Sequence, residues 1–385
     1  VDPFVISNWG SFSGMATILD DIVTRARALM GDPDALLYGQ YYAVGIRSDN
    51  ISTSPSYTFF SDQPTCDGNG GCGAAFSYSA SSDRTFTSTS PTGSTGVVSE
   101  TGEIFMMTDT ATSDNSVQSV VAIRKGSGMS NASLNGNYNS VEYTEYNGNV
   151  MVTYYSATFD GNGHGTSQEL AKSDGNPLGS NIFSYSVSSD GTFSAGDVGT
   201  ALTSSGIISA DSNVIIIYGD DPTYGTSITI GVKNGSGMSN SSFNGIYMNH
   251  NFNTNYNMLW YPRTATGWIS TTGTGTRTYT QTSVSSGSSN SSETGAYSVA
   301  SNGAFTASGN RTGILSSDGS FLLSYDADMS DNVVYMAIGM KTAATSAPGS
   351  GSGITPPVSS LCLSQTGDAA AICNTASSFY YSINN

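Results

Sequence analysis

The chain has 385 residues, of which 11% are charged, and its formal net charge is −17. This charge argues against proteins that hold nucleic acid or anionic lipid through a basic surface. Ser, Thr, Asn and Gly fill the polar positions instead, which is typical of exported β-proteins, and the 22 Tyr and 15 Phe suit half-buried strands. The composition predicts an all-β protein that is extracellular or at the cell surface.

Residues 1–35 form an N-terminal extension whose strongest feature is a helical pattern over residues 15–31. Gly31 and Pro33 are natural stop signals at its end. We expect this amphipathic helix to cap an open end of the domain that follows. The alternative is that it docks on a neighbouring molecule, as an assembly element. The apolar residues lie on one stripe: Met15, Ile18, Leu19, Ile22, Val23, Ala26, Leu29 and Met30.

From residue 36 onward the chain repeats one unit three times. Residues 125–131 read KGSGMSN and residues 233–240 read KNGSGMSN. Each unit begins with a related motif, which reads LYGQY, LNGNY or FNGIY. Further markers recur in the same order, and each copy is expected to end on a strand closed by Lys125, Lys233 or Lys341. The repeat predicts three modules of one kind, at 36–132, 133–241 and 242–342.

Each module is predicted to be an antiparallel β-meander, because short alternating strands are separated by turn signals such as Asp190-Gly191. In the second module the strands are expected near 137–146, 150–159, 164–172, 180–188, 190–196, 200–209, 213–219 and 226–234. An open meander would expose its edges. We therefore predict an eight-stranded up-and-down barrel, filled by side chains or holding one small ligand.

The Gly-x-Tyr at the start of each module is similar to the Gly-x-Trp of lipocalin-like barrels. This resemblance implies the same barrel architecture. The alternative fold is a six-bladed β-propeller, with two four-stranded blades in each module. The visible period of the repeat favours the three barrels.

The C-terminal part of the chain consists of a linker and a tail. Residues 343–359 are rich in Ala, Ser, Gly and Pro, as linkers are. Residues 360–385 form a tail with a β-prone end at Phe379, Tyr380 and Tyr381. The tail either packs on the third module or adds a strand to another subunit.

Four cysteines occur as two close pairs, Cys66 with Cys72 and Cys362 with Cys373. Neither pair has the spacing of a zinc or redox motif. Both are predicted to be local disulfides, which need an oxidising compartment.

The sequence lacks a recognisable catalytic motif. Its two histidines, His164 and His250, are expected in loops or at the surface, since no nucleophile motif accompanies them. We therefore predict that the protein is not an enzyme and needs no cofactor. Asp326, Asp328 and Asp331 lie in one turn, where they either serve the turn itself or hold calcium.

The leading functional hypothesis is a non-enzymatic structural or adhesive protein. It would be a subunit of a surface filament or layer, partnered by itself or by another cell-surface protein through its terminal extensions. The side chains for such assembly are Ile18, Ile22, Leu29, Phe379, Tyr380 and Tyr381.

No apolar run approaches the roughly 18 residues of a membrane span.

The alternative function is a secreted binding protein that holds a hydrophobic or saccharide ligand in a barrel. Trp260, Tyr261 and Trp268 make the third module the best candidate for such a site. The competing interpretation is that these three rings fill the core.

Overall fold

The protein is described by a computed structural model. The described residues are 23–24, 26–28, 31–49, 56–90, 92–109, 116–146, 149–174, 176–199, 203–221, 225–255, 263–285, 291–309, 311–326 and 333–345. These residues belong to one compact unit. Within the predicted helix, residues 23–24 and 26–28 are helical, while 15–22, 25 and 29–30 lie outside the described residues.

The first module is a nine-stranded antiparallel sheet in the order β2-β1-β9-β8-β7-β6-β5-β4, with β3 paired to β1. Its strands are β1 (Tyr38–Asp49), β2 (Ser56–Asp62), β3 (Thr65–Asp67), β4 (Gly71–Cys72), β5 (Phe76–Ala80), β6 (Thr85–Ser90), β7 (Thr92–Val98), β8 (Ile104–Asp109) and β9 (Ser116–Arg124).

The second and third modules are closed barrels of eight antiparallel strands, each in sequence order. The second contains β10 (Asn135–Tyr146), β11 (Asn149–Asp160), β12 (His164–Lys172), β13 (Ser180–Val187), β14 (Thr192–Asp197), β15 (Ser204–Ile208), β16 (Val214–Asp221) and β17 (Gly225–Lys233). The third contains β18 (Asn244–Asn255), β19 (Arg263–Thr272), β20 (Thr276–Val284), β21 (Ser292–Val299), β22 (Ala304–Ala307), β23 (Arg311–Leu315), β24 (Phe321–Asp326) and β25 (Val333–Lys341). The all-β prediction is confirmed, and so are the eight-stranded barrels of the second and third modules. The first module is instead a nine-stranded sheet that does not close, because β3 and β4 do not pair with each other, and the propeller is wrong.

The ladder registers correct one detail of the repeat. Arg124 pairs with Tyr41 as Lys233 pairs with Tyr138, so the first module ends its last strand at Arg124 rather than at Lys125. The stem of Arg124 lies against Gly39, whose positive φ of 103° and missing Cβ leave room for it.

The first module has a disulfide at the place where the second module has two paired strands. Cys66 on β3 is bonded to Cys72 on β4, as predicted. The equivalent residues of the second module, Phe159 and Gly165, are direct partners between β11 and β12. The disulfide therefore joins two short strands where the second module has a long hairpin. The two cysteines are six positions apart in sequence, and for a loop of this length chain entropy assigns the disulfide about 2 kcal/mol. Cys362 and Cys373 lie outside the described residues.

Each module buries an apolar cluster in its interior. In the second barrel, Tyr138 near the start of β10 and Phe159 near the end of β11 belong to this cluster. In the third barrel, Tyr247 corresponds to Tyr138, and its cross-strand partner Ile269 belongs to the interior cluster as well. The apolar side chains thus fill one end of each barrel, the end near the start of its first strand.

A second, larger core lies between the modules and is called the shared core below. It forms because several strands are apolar on both faces: on β9, Val120 and Ala122 line the interior, while Val121 and Ile123 point outward. The three modules contribute from equivalent register positions, which include Val97, Ile207 and Ile314; Met106, Ile216 and Leu323; Val121, Ile230 and Ile338; and Ile123, Val232 and Met340.

The three modules close into a ring. After each last strand, a backbone N–H is donated to the carbonyl of an equivalent turn in another module. The first module donates to the second, the second to the third, and the third back to the first. These bonds are Gly126 to Asp190 at 2.8 Å, Gly235 to Asn302 at 3.0 Å, and Ala343 to Asp83 at 3.1 Å. The modules are thus held as one block by the shared core and by equivalent contacts.

Candidate ligand-binding chamber

The third barrel is apolar at one end and polar at the other. Tyr247 of β18 packs in the interior cluster, and side chains alternate along a strand. Asn249, Asn251 and Asn253 therefore point into the same interior. Asn249 and Asn251 are only 2% and 5% exposed. A row of amides inside a barrel is costly unless each one is hydrogen bonded.

Two tyrosines meet the central amide of this row. Asn251 Nδ2 donates to the Tyr279 hydroxyl at 2.9 Å, and the Tyr335 hydroxyl donates to Asn251 Oδ1 at 3.2 Å. Asn249 Nδ2 donates to the same Oδ1. Burial raises the pKa of the Tyr279 hydroxyl well above its usual value, so Tyr279 stays neutral. The network fixes the Asn251 side chain between β20 and β25.

An arginine adds the positive charge of the site. The Arg311 guanidinium lies 3.5 Å from the centre of the Tyr335 ring, within cation–π distance. Arg311 is two residues along β23 from Gly313 and four from Leu315 of the interior cluster, so it faces inward. We call the set Asn249, Asn251, Asn253, Tyr279, Arg311 and Tyr335 the chamber.

Two acceptors of the chamber have no donor. Asn249 Oδ1 and Asn253 Oδ1 are both buried without a hydrogen-bond partner. A buried polar group left unsatisfied costs about 1–3 kcal/mol. Both atoms are carbonyl oxygens, so what they need is an O–H or N–H group.

The same register position differs in the three modules. Asn251 of the first strand of its module pairs with Ala337 of the last strand. The residue at the same position of the first strand is Glu142 in the second module and Gly45 in the first. In the first module the Phe60 ring takes this space, because a Cβ on Gly45 would lie 2.4 Å from Phe60 Cζ. The chamber chemistry is therefore specific to each module.

The aromatic residues singled out in the sequence lie elsewhere or are not described. Trp268 is 7% exposed and packs in the shared core, on the opposite face of β19 from the barrel-lining Ile269. Trp260 and Tyr261 lie outside the described residues, so ligand binding by these residues stays a prediction. Sequence reasoning missed the chamber residues. The signal was the alternating Asn249, Asn251 and Asn253 that follow the Gly-x-Tyr start.

The histidine expectation is wrong for one of the two residues. His164 is exposed in the β11–β12 hairpin, as expected. His250 is 2% exposed, because it occupies the position where the other modules place Val44 and Val141 in the shared core. Its Nδ1 lies 2.5 Å from Thr108 Oγ1 of the first module.

The remaining predicted sites stay predictions. Asp326 is the last residue of β24, whereas Asp328 and Asp331 lie outside the described residues. Within the described ranges, no group of three or more His, Cys, Asp or Glu residues is placed to hold a metal ion. The assembly residues Ile18, Ile22, Leu29, Phe379, Tyr380 and Tyr381 are also outside the described residues.

The second barrel carries an exposed apolar patch on its outer wall. The four side chains of this patch keep large exposed fractions: Leu170 44%, Leu178 52%, Ile182 63% and Val198 57%. Ile182 pairs with Thr166, and the equivalent pair of the third module is Thr294 with Thr278, so Thr294 corresponds to Ile182. The third module thus has a polar residue at this position, whereas the second module exposes the large apolar side chain of Ile182.

The topology defines the chain as an all-β protein of three antiparallel modules, two of which are closed eight-stranded barrels. No family model matches it, and no curated protein matches it. No helix in the described ranges has the length and hydropathy of a membrane span.

Among solved structures, the chain is similar to a protein of unknown function of the DUF3598 family from Nostoc punctiforme, at 10% identity and a TM-score of 0.22, over 55% of this chain and 97% of that one. It is also similar to the isotype 1 transferrin binding protein B of serogroup B Neisseria meningitidis, at 9% identity and a TM-score of 0.28, over 74% of this chain and 59% of that one. A mutant transferrin binding protein B from Haemophilus parasuis gives 8% identity and a TM-score of 0.26, over 79% and 75%. These scores establish neither family nor function, so the functional argument rests on the chamber.

Proposed function

We propose that the chain is a non-enzymatic binding protein of the cell exterior whose third barrel holds a small saccharide. The observation that carries this proposal is the pair of unpartnered amide oxygens, on Asn249 and Asn253, inside the barrel. A sugar presents several hydroxyl donors on a compact ring, which is what two fixed acceptors require.

The rest of the chamber suits the same ligand. The Tyr279 and Tyr335 rings offer flat surfaces for the C–H face of a sugar, and ligand pockets combine such apolar walls with a few placed polar groups. Arg311 lies against the Tyr335 ring and places a positive charge beside these walls. The Asn251 network holds both tyrosines in place, so little ordering would be left for binding.

The location at the cell exterior is supported by two features. The Cys66–Cys72 disulfide persists in an oxidising compartment. The low charged content, 11%, with a net charge of −17, is typical of exported β-proteins that must stay soluble and apart.

Replacing Asn251 by Leu should weaken saccharide binding at least tenfold, because it removes both tyrosine contacts and one polar wall. A tenfold loss corresponds to about 1.4 kcal/mol. The measurement is titration calorimetry of the full chain with the sugars selected on a glycan array. Asn162→Leu, an exposed substitution of the same type in the β11–β12 hairpin, is the control. Equal affinity of the Asn251→Leu variant and the unchanged protein, or an array without any ligand, would count against the proposal.

The structural or adhesive function is the second candidate, and the apolar patch of the second barrel favours it. Ile182 and Val198 adjoin each other there, since Val198 N donates to Ile182 O at 3.3 Å. We expect two copies of the chain to associate through this patch. Sedimentation velocity should show self-association that Ile182→Thr, which copies the third module, abolishes. A protein that stays monomeric at high concentration would exclude this route.

A further inference from the structure

The second barrel has a chamber of its own, with a different chemistry. Tyr138 lies in the interior cluster of this barrel, so Ser140 and Glu142 of the same strand point inward as well. Glu142 stands where the third barrel has Asn251. It retains partial exposure, so solvent reaches this part of the barrel.

Hydroxyl groups surround the Glu142 carboxyl. Thr229 of β17 is the direct cross-strand partner of Glu142, and Ser227 lies on the same face of β17, so both hydroxyl groups lie beside the carboxyl. On the other side, the Tyr155 hydroxyl belongs to the direct cross-strand partner of Ser140. Ser140 Oγ, in a fully buried residue, lies near that hydroxyl but makes no hydrogen bond of normal geometry. The chamber thus contains a carboxylate, several hydroxyl oxygens and one unsatisfied buried acceptor.

Among the residues that the structure describes, Glu142 has no cation of its own. The cation that acts on it is Lys172, but Lys172 Nζ is paired with Glu169 Oε1 at 3.0 Å. Burial raises the pKa of Glu142, and the like charge of Glu169 raises it further, whereas the neighbouring Ser227 and Thr229 hydroxyls and the charge of Lys172 lower it. A partly buried carboxylate without its own cation is stabilised by a cation that enters the chamber.

We propose that the second barrel binds a small primary ammonium ion, with Glu142 as its counter-ion. An R–NH3+ group has three N–H donors and no acceptor. The Glu142 carboxylate, Ser140 Oγ and Thr229 Oγ1 are the acceptors for these donors, and the Tyr155 ring walls the organic group. This site is independent of the saccharide chamber in the third barrel.

The test uses the full chain and propylammonium chloride as the probe, with 1-propanol as its uncharged counterpart. Calorimetry at pH 8 should show one propylammonium site per chain that 1-propanol does not occupy. Glu142→Gln keeps the shape of the side chain and should weaken the affinity at least tenfold. Asn251→Leu, which alters only the third barrel, should leave it unchanged. Affinity should also fall as the pH drops through the raised pKa of Glu142, because the neutral acid loses its charge.

A second readout separates binding from folding. Propylammonium should raise the Tm of the unchanged protein relative to sodium chloride at equal ionic strength, but not that of Glu142→Gln. Equal affinity of the two proteins, occupancy by 1-propanol, or the absence of saturable binding at millimolar concentration would each overturn the proposal. If no saccharide binds but propylammonium does, the result contradicts only the function proposed for the third barrel.

Discussion

Replacing Phe252 by Ala should lower the free energy of unfolding by about 3–5 kcal/mol, as deletion of a buried ring does. Phe252 is 2% exposed and lies where all three modules meet. Its ring is 5.7 Å from Tyr143 of the second module and 6.4 Å from Tyr57 of the first, both edge to face. The Tyr143 hydroxyl also donates to the Phe252 carbonyl at 3.2 Å. Denaturant unfolding followed by circular dichroism measures the loss.

The matched control is Phe305→Ala, inside the third barrel. Phe305 is 3% exposed, and its ring contacts are Phe243 and Tyr297 of its own module. Both variants should be destabilised, but only Phe252→Ala should turn one unfolding transition into several with a lower m-value, because it weakens the contact between modules. A loss under about 1 kcal/mol, far below the usual cost of a deleted buried ring, would show that the shared core does not depend on this residue.

Acidification should destabilise the protein through His250. Burial lowers the pKa of His250 from 6.5 to about 3. Between these two values the unfolded chain binds a proton that the folded chain does not. The free energy of unfolding therefore decreases as the pH falls below 6.5, by about 1.4 kcal/mol per pH unit from this group. Above pH 6.5 the ring is neutral in both states and contributes no slope.

His250→Val isolates this contribution, because Val44 and Val141 occupy the equivalent positions of the other modules. Denaturant unfolding between pH 7 and pH 4 should show a smaller slope for the variant than for the unchanged protein. Other groups titrate in this range, so the difference between the two slopes is the quantity to compare. His164→Gln, which removes the exposed histidine, is the control. Identical slopes for His250→Val and the unchanged protein would contradict the buried neutral ring.

The strands could be predicted because alternation is a local signal. The expected strand 164–172 coincides with β12 (His164–Lys172), and the other strands of the second module differ by a few residues at their ends. The disulfide could also be predicted from the sequence, since Cys66 and Cys72 flank a short run of turn residues. Alternation indicates two faces of a strand, however, and does not indicate which one lines the barrel.

The shared core was missed for this reason. Runs such as 120–123 and 214–217 are apolar at every position, and continuous apolar runs are typical of strands buried on both faces. This pattern calls for a partner outside the barrel. The chamber was missed because Asn is common throughout this chain, and only the position of Asn251 opposite two tyrosines distinguishes it.

The cyclic contact pattern has a consequence for how the sites vary. The contacts between modules are those of a homotrimer whose subunits have been fused into one polypeptide. In a homotrimer every substitution appears three times, whereas in the fused chain each copy diverges separately. This freedom allows Gly45, Glu142 and Asn251 to differ at one register position, and it allows a single histidine to replace one of three valines.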